Sequence, residues 1–378
     1  MHLSCAQELL KRGLAMVGPA VAGKSTLPIL SHVRLACDDG RLNLAATNLD
    51  IGITCWIDAD VKRAGAIAAP ARLLTDVVTS LPNDHIDLTL DERTQTLCVR
   101  CARFETNIRG IDAGEFPTMP SIDDCAPVVV FPSKALREAI QQVAFAASDE
   151  ETHPILQGVQ LRLRDQSAIF AAADGFRLAR KILPLPGSAP QLRDVIIPAR
   201  TLQHLARMLA SDDEPVALIV TPSGGQAIFR TSAFELASRM IDGAFPNIDA
   251  IIPQQFWTRA VLDTQEMMKA VKLASYVAVA ASYVVRVHVE PGDAMSPRCV
   301  TISANAAEVG DHTGRIDATI QGESGQVALN VTFLSEAIAA MPTPQMALEL
   351  RSPQDPVTLK PVGADGLVYL LMPMLVRA

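Results

Sequence analysis

The chain has 378 residues, 49% of them hydrophobic and 20% charged, and carries a net charge of −8. Single domains cluster at roughly 100–150 residues, so two or three domains are expected, and so much apolar material excludes disorder and a fibrous protein. The negative sign argues against a protein that coats nucleic acid through overall charge, although it leaves open where the charges lie.

The first segment, MHLSCAQELLKRG, sets Glu8, Lys11 and Arg12 where a secretory leader needs its apolar stretch. The best apolar run, Leu273 to Val285, is 13 residues long and contains Ser275, Tyr276, Ser282 and Tyr283, which is short of the roughly 20 needed to cross a bilayer. A cytoplasmic chain with no membrane contact is expected. A helix is predicted over 6–17, and Gly18 to Ser25 after it fits the G-x-x-x-x-G-K-S pattern of a nucleotide-triphosphate loop. Such a loop leaves a buried strand and enters a helix. Here a helical segment precedes it and Pro28 follows, poorly placed in a continuing helix. An ATP-binding protein using Gly18 to Ser25 stands as the alternative function, with Lys24 otherwise a loop cation open to some other phosphate.

Downstream, HVRLACDDGRLNLAAT from His32 and HIDLTLDERTQTLCVRC from His85 alternate with period two around turn residues and predict hairpins. Cys98 and Cys101 form a C-x-x-C, but three residues apart on a strand they point to opposite faces, and no second Cys or His pair completes four ligands. All seven cysteines are scattered and read as reduced core thiols. No metal and no cofactor is expected. The histidines lack a Ser or Cys partner, no G-x-S-x-G occurs, and the acidic pieces Asp123-Asp124 and Asp212-Asp213-Glu214 fall in loops. A binding protein fits better than an enzyme.

A long internal repeat organises the chain. PARLLTDVVTSLP from Pro70, PARTLQHLARMLA from Pro198 and NVTFLSEAIAAMP from Asn330 each begin with a capping or proline step and continue with helical spacing. AQELLKRGLAMV from Ala6, PSKALREAIQQVAFAA from Pro132 and DTQEMMKAVKLASYVA from Asp263 form a second such family. GEFPTMP at Gly114 returns as GAFPNID at Gly243, and LAATNLDIGI, FAAADGFRLA and ISANAAEVGD hold the same relative place. Three copies follow, over 1–122, 128–253 and 257–378, each with two helices and many short strands, an α+β arrangement of helices segregated from antiparallel sheet. The six predicted helices (6–17, 70–81, 132–147, 198–210, 263–278 and 331–341) carry nine basic residues against six acidic ones, a surplus of three, in a chain of −8. A polyanion could be held on that one repeated element and repelled elsewhere.

With this repeat the chain resembles the bacterial DNA polymerase III beta subunit family, the sliding clamps. The likeness is carried in order by STLPILSHVRL from Ser25, AATNLDIGI from Ala45, PARLL from Pro70, GEFPTMP from Gly114, ADGFRLA from Ala173, VIIPAR from Val195, DGAFPNI from Asp242 and YLLMPM from Tyr369. The resemblance implies a head-to-tail homodimer closing a ring of six similar domains, sheets outside and helices lining a hole that holds duplex DNA independently of sequence. It implies a processivity factor that is not an enzyme, tethering the replicative DNA polymerase and other proteins with a clamp-binding motif and opened by an ATP-driven clamp loader.

By position the resemblance gives Lys24 and Arg72 as DNA contacts, with Arg200 opening the equivalent helix of the middle copy. The helix charge adds Lys11, Arg12, Lys134, Arg137, Arg207, Lys269 and Lys272 as candidates. Glu150 stands as an acid where the family carries a polar contact to single-stranded template. The family's partner-peptide cleft maps to Leu156, Ala173, Gly175, Phe176, Arg177, Leu178, Pro246, Ile251, Val357, Leu370, Met372, Pro373 and Met374. Flexible methionines at such a rim suit several peptides. The chain continues Leu375-Val376-Arg377-Ala378 after Met-Pro-Met, where the family commonly has Arg and one aliphatic residue. The dimer contact is expected where the strand around Ile108 meets the helix end around Tyr276 and Val277.

Overall fold

The structure is a computed structural model describing residues 1–375 apart from 24, 39, 121–124, 186, 188–193, 210–213, 223 and 293–297. Six α-helices are present: α1 (Gln7–Val17), α2 (Ala71–Ser80), α3 (Ser133–Val143), α4 (Ala199–Met208), α5 (Thr264–Ala278) and α6 (Val331–Ala339). They stand where the helical periodicity places them. Only α3 ends well short, because Ala144–Ala146 tightens into a 3-10 turn. The third copy caps its helices with side chains: Asp263 accepts from the N–H groups of Gln265 and Glu266, and Asn330 from those of Thr332 and Phe333. In the first copy α2 opens at Pro70 with no side-chain cap.

The described residues fall into two compact units, Met1–Lys134 with Arg207–Met240, and Ala135–Ala206 with Ile241–Ala378. Every strand pairing among the described residues is antiparallel, and several strands alternate in burial, as His85–Asp91 and Val284–Glu290 do. The first unit holds a five-stranded sheet in the order Asp60–Arg63, His2–Ala6, His85–Asp91, Thr96–Cys101, Phe104–Arg109. Its eight-stranded sheet runs Val129–Pro132, Pro215–Val220, Gln226–Arg230, Phe234–Arg239, Ile51–Asp58, Arg41–Thr47, His32–Asp38, Gly65–Pro70. α1 and α2 pack on each other, and α1 buries Leu10, Leu14 and Val17 on one face. Burial pushes the Cys5 and Cys55 thiols up to about 12, so both stay protonated core groups.

The second unit holds one twelve-stranded sheet. Val195–Pro198, Gly158–Arg164, Ser167–Ala173 and Arg177–Pro184 come from the middle copy. Leu367–Leu371, Val357–Pro361, Gln345–Leu350, Thr258–Asp263, Gly310–Gly322, Cys299–Ala306, Val284–Glu290 and Gly325–Asn330 follow from the third. α5 packs on α6 as α1 does on α2. The repeat extends to single hydrogen bonds: Gln7 N–H donates to the Asp84 carbonyl at 2.9 Å, and Thr264 N–H, at the same point of the third copy, to the Pro344 carbonyl at 2.8 Å.

The sheets run through the copy joints. The last strand of the middle copy, Phe234–Arg239, pairs with Ile51–Asp58 of the first, and the last strand of the third, Leu367–Leu371, pairs with Arg177–Pro184 of the middle one. Two strand edges of this kind have no such partner among the described residues. They are the outer edge of Phe104–Arg109 and the first part of Gly310–Gly322, which pairs on one side only before Ala318 meets Leu262.

Gly18 to Ser25 does not have the architecture of a nucleotide loop. A 3-10 turn, Gly18–Ala20, continues directly from α1, and another, Pro28–Ser31, leads into strand His32–Asp38. No strand enters the loop and no α-helix leaves it. Lys24 itself lies outside the described residues. Among those residues no helix is long and apolar enough to cross a membrane, and no group of three His, Cys, Asp or Glu side chains is placed to hold a metal.

Gly322, at φ +95°, closes strand Gly310–Gly322 where an added Cβ would lie 1.8 Å from the Trp257 carbonyl oxygen. Gly322→Ala therefore combines left-handed strain with a backbone clash and should destabilise the chain by about 3 kcal/mol in urea titration.

Candidate functional site

An apolar cavity of about 160 Å³ opens where the middle and third copies meet within the second unit. Main-chain pairing of Leu178 with Leu370 lays the two strands side by side. Ala171, Leu178, Ile248, Ile252, Val368 and Leu370 form the buried floor, with Ala173 and Phe245 against it. Leu156, Gly175, Phe176, Pro246, Ile251, Pro356 and Met372 complete the walls, and Arg177 is the one charged residue among them. Phe176 is 64% exposed and Met372 41% exposed. Large apolar side chains left in water beside a dry floor are the signature of a binding rim.

The turn presenting Phe176 is held from behind. Asp174 Oδ1 accepts the N–H groups of Phe176 and Arg177, both at 2.9 Å, while Gly175 supplies the φ of +93° that the turn requires. Arg177 Nε donates to Asp174 Oδ2 at 2.8 Å and Nη2 to the Phe145 carbonyl at 2.8 Å, and Nη1 donates to Glu336. Its guanidinium lies 4.4 Å from the centroid of the Phe333 ring and 5.6 Å from that of Phe145. The Met372 N–H closes the rim by donating to the Phe176 carbonyl at 2.8 Å. A second clasp fixes the opposite wall: Asp249 accepts from Arg162 at 2.8 Å and from Arg180 at 3.1 Å, tying the turn that carries Ile248 and Ile251 to the sheet. The hydrogen bond from Arg162, followed by that from Arg180, holds the Asp249 carboxyl below its usual range.

Ten of the thirteen residues expected at the peptide cleft line this cavity. The other three do not. Val357 is fully buried, paired with Leu371 behind the wall. Pro373 and Met374 lead away, with the Met374 N–H donating to the Ala328 carbonyl at 2.8 Å. Ile248 and Pro356 also line the cavity and were not among the residues the resemblance gave; both sit in irregular segments, as do the expected Leu156, Pro246 and Ile251. Leu375 is exposed, and Val376 to Ala378 lie outside the described residues.

Of the helix cations, Lys11, Arg12, Arg72, Lys134, Arg200, Arg207, Lys269 and Lys272 are exposed and Arg137 is half-buried. Glu150 is exposed in the turn after α3 and accepts from Thr152 Oγ1 at 3.4 Å. At the expected dimer contact, Tyr276 is exposed and Val277 half-buried, but the Ile108 side chain is 1% exposed. It faces the first copy's own core. The alternation of strand Phe104–Arg109 puts Phe104, Glu105, Asn107 and Arg109 in solvent instead.

A threefold α+β repeat with sheets continuous across its joints, and an apolar cleft at one of them, defines a modular protein with an exposed apolar rim. Comparison with known proteins makes this specific. The N-terminal, central and C-terminal domain models of the DNA polymerase III beta subunit match residues 1–120, 130–247 and 249–375. The beta sliding clamp of Synechococcus elongatus is 33% identical, with both chains covered in full. That of Bacillus subtilis is 25% identical over 99% of each. The crystal structure of the Bacillus subtilis clamp superposes with a TM-score of 0.92 at 24% identity over 100% of both chains. A Pseudomonas aeruginosa clamp bound to griselimycin gives 0.91 at 25% identity, again over 100% of both. The chain belongs to the beta sliding clamp family, the DNA polymerase processivity factors of bacterial replication.

Two outcomes follow from the clasps. The Arg177 and Asp174 side chains are only 10% and 12% exposed, so Arg177→Met strands a buried carboxylate and should cost about 3 kcal/mol, read by urea titration. Arg177→Lys should recover only part of that, since an ammonium cannot reproduce the fork. Because Asp249's carboxyl is lowered on folding, the stability it adds is present above its unfolded value of about 4 and is lost as pH falls through the folded one. The stability gap between the native chain and Asp249→Asn should therefore be widest near neutrality and close in acid, as measured by denaturation from pH 7 to pH 2.

Proposed function

We propose that this chain works as a head-to-tail homodimer, a ring that encircles duplex DNA without reading its sequence and tethers the replicative polymerase and other partners by short peptides. The cavity between Phe176 and Met372 is the tether. An ATP-driven loader opens the ring, which leaves nucleotide chemistry to the partner and none to this chain.

The convergence of ten expected residues on one apolar cavity carries the tethering function. An extended peptide would set apolar side chains on the Leu178 and Leu370 floor and be covered by Phe176 and Met372. Methionine at the rim lets one cavity accept several sequences. The copy joints support the dimer: each uses the last strand of one copy on the fourth strand of the preceding one. The same rule applied between chains places Phe104–Arg109 of one subunit beside the first part of Gly310–Gly322 of the other, so that two copies leave no such edge open.

Lys11, Arg12, Arg72, Lys134 and Arg200, all exposed, with Arg207 and Arg137, supply the cationic helix surface for phosphate contacts. Lys24 joins them by position alone. Contacts to phosphate position a duplex without carrying sequence information, which is what a sliding ring requires.

Fluorescence anisotropy of a labelled polymerase-derived clamp-binding peptide tests the tether. Phe176→Ala and Met372→Ala should each weaken binding about tenfold while the dimer mass is kept. Absence of saturable binding by the folded, dimeric native chain would remove the tethering role.

A further inference from the structure

We propose that Lys269 and Lys272 belong to the subunit joint rather than to the DNA surface, facing Asp76 of the partner subunit, and that this charge pairing selects the head-to-tail neighbour. It rests on the dimer reading above and assigns that dimer its recognition residues.

The joint inside the second unit supplies the template. The buried faces of α3 (Leu136, Ala139, Ile140, Val143) and α5 (Met267, Ala270, Val271, Ala274) coincide residue by residue. Those of α2 (Ala71, Leu74, Val78) and α6 (Val331, Leu334, Ile338) do so too. Hence Glu138, Gln141, Gln142 and Phe145 correspond to Lys269, Lys272, Leu273 and Tyr276, while Phe333 and Glu336 correspond to Leu73 and Asp76. At the internal joint Glu138, Gln141, Gln142, Phe145 and Glu336 line one common cleft, and the Phe145 ring meets Tyr369 edge-on at 5.6 Å.

At the two free ends these same positions are bare. Gln142 is 8% exposed inside the chain, whereas its counterpart Leu273 is 54% exposed, and Tyr276 and Leu73 are 67% and 48% exposed. Phe104 adds a further exposed aromatic on the open strand edge. Apolar side chains standing in water where their internal counterparts are covered mark a joint completed by a second copy.

The charges identify which faces meet. The internal cleft carries two acids, Glu138 and Glu336, and Arg177 from the adjoining strand answers Glu336. The residue opening the corresponding strand of the third copy is Gly310, which has no side chain to offer. There the cations stand on the helix instead, with Lys269 in place of Glu138 and Lys272 in place of Gln141. Asp76, Lys269 and Lys272 make no ion pair within the chain among the described residues. Brought together as the internal cleft is, they are complementary, whereas two like ends would set acid against acid or lysine against lysine.

Sedimentation equilibrium of the full chain in a dilution series tests this. Asp76→Lys, and separately Lys269→Glu with Lys272→Glu, should each weaken dimerisation at least about tenfold, and the three changes combined should restore it to within about threefold of the native value. Asp76→Asn, too mild to disturb folding at an exposed position, should weaken it about threefold and flatten its salt dependence. A native dimer indifferent to all these changes would overturn the pairing and leave the dimer standing. A native chain that stays monomeric would overturn the dimer reading itself.

Discussion

Main-chain pairing across the copy joints is the constraint on which the rest depends. A sheet edge is a row of unsatisfied donors and acceptors that must be covered. Here the middle and third copies each cover the preceding copy's edge with their own last strand: Phe234 to Ser238 along Ile51 to Cys55, and Leu367 to Leu371 along Arg177 to Lys181. The middle copy is thereby divided between the two compact units, half of its strands belonging to the sheet that includes the first copy and half to the sheet of the third. A similar repeat without these pairings would be three beads on a string. The pairings instead make each joint a continuous hydrogen-bonded sheet.

The cavity is a by-product of one such joint. Pairing of Leu178 with Leu370 brings two apolar strands together, and the chain must turn away at Asp174–Phe176 on one side and at Met372 on the other. The splayed ends leave the gap. What keeps it from collapsing is polar and sits behind it: Arg177, held by Asp174, Glu336 and the Phe145 carbonyl, and Asp249, held by Arg162 and Arg180. A buried guanidinium with its hydrogen bonds made has one geometry, whereas a purely apolar joint could slide. Rigid walls beneath an exposed Phe and Met rim would reconcile a preformed floor with the varied peptides proposed for it.

How much of this was legible in the sequence follows from the range of the forces involved. Helix positions were, because burial at 3.6-residue spacing is local: Leu10, Leu14 and Val17, or Met267, Val271 and Ala274, declare themselves within one segment. Hairpins were legible through alternation. The cleft was reached by resemblance, which brought in strand and loop residues alike but missed Ile248 and Pro356 and took in Val357, whose side chain is fully buried. Ile108 illustrates the remaining limit. A strand can be identified without knowing which of its two faces is inward, and a shift of one residue exchanges Ile108 for Asn107 or Arg109. The joints were invisible because pairing of Phe234 with Cys55, or Leu178 with Leu370, couples residues far apart in sequence and leaves no mark within either segment.

The contrast between the internal joint and the proposed external one has a physical sense. The internal joint never separates, and there a single buried arginine, stacked on Phe333 and bonded to Glu336, can be fully desolvated once, during folding. A ring that opens and closes around DNA must expose its joint repeatedly, and a buried ion pair would have to be resolvated and stripped of water at each cycle. Exposed lysines facing an exposed aspartate avoid that cost: their attraction acts across water, speeds correct encounter and is screened by salt. Leu73, Leu273, Tyr276 and Phe104 then supply the apolar adhesion that such pairs lack. In the proposed dimer, lysine at positions 269 and 272 thus trades strength for reversibility, and the helix surplus of positive charge would divide between two tasks, holding DNA and choosing the neighbouring subunit.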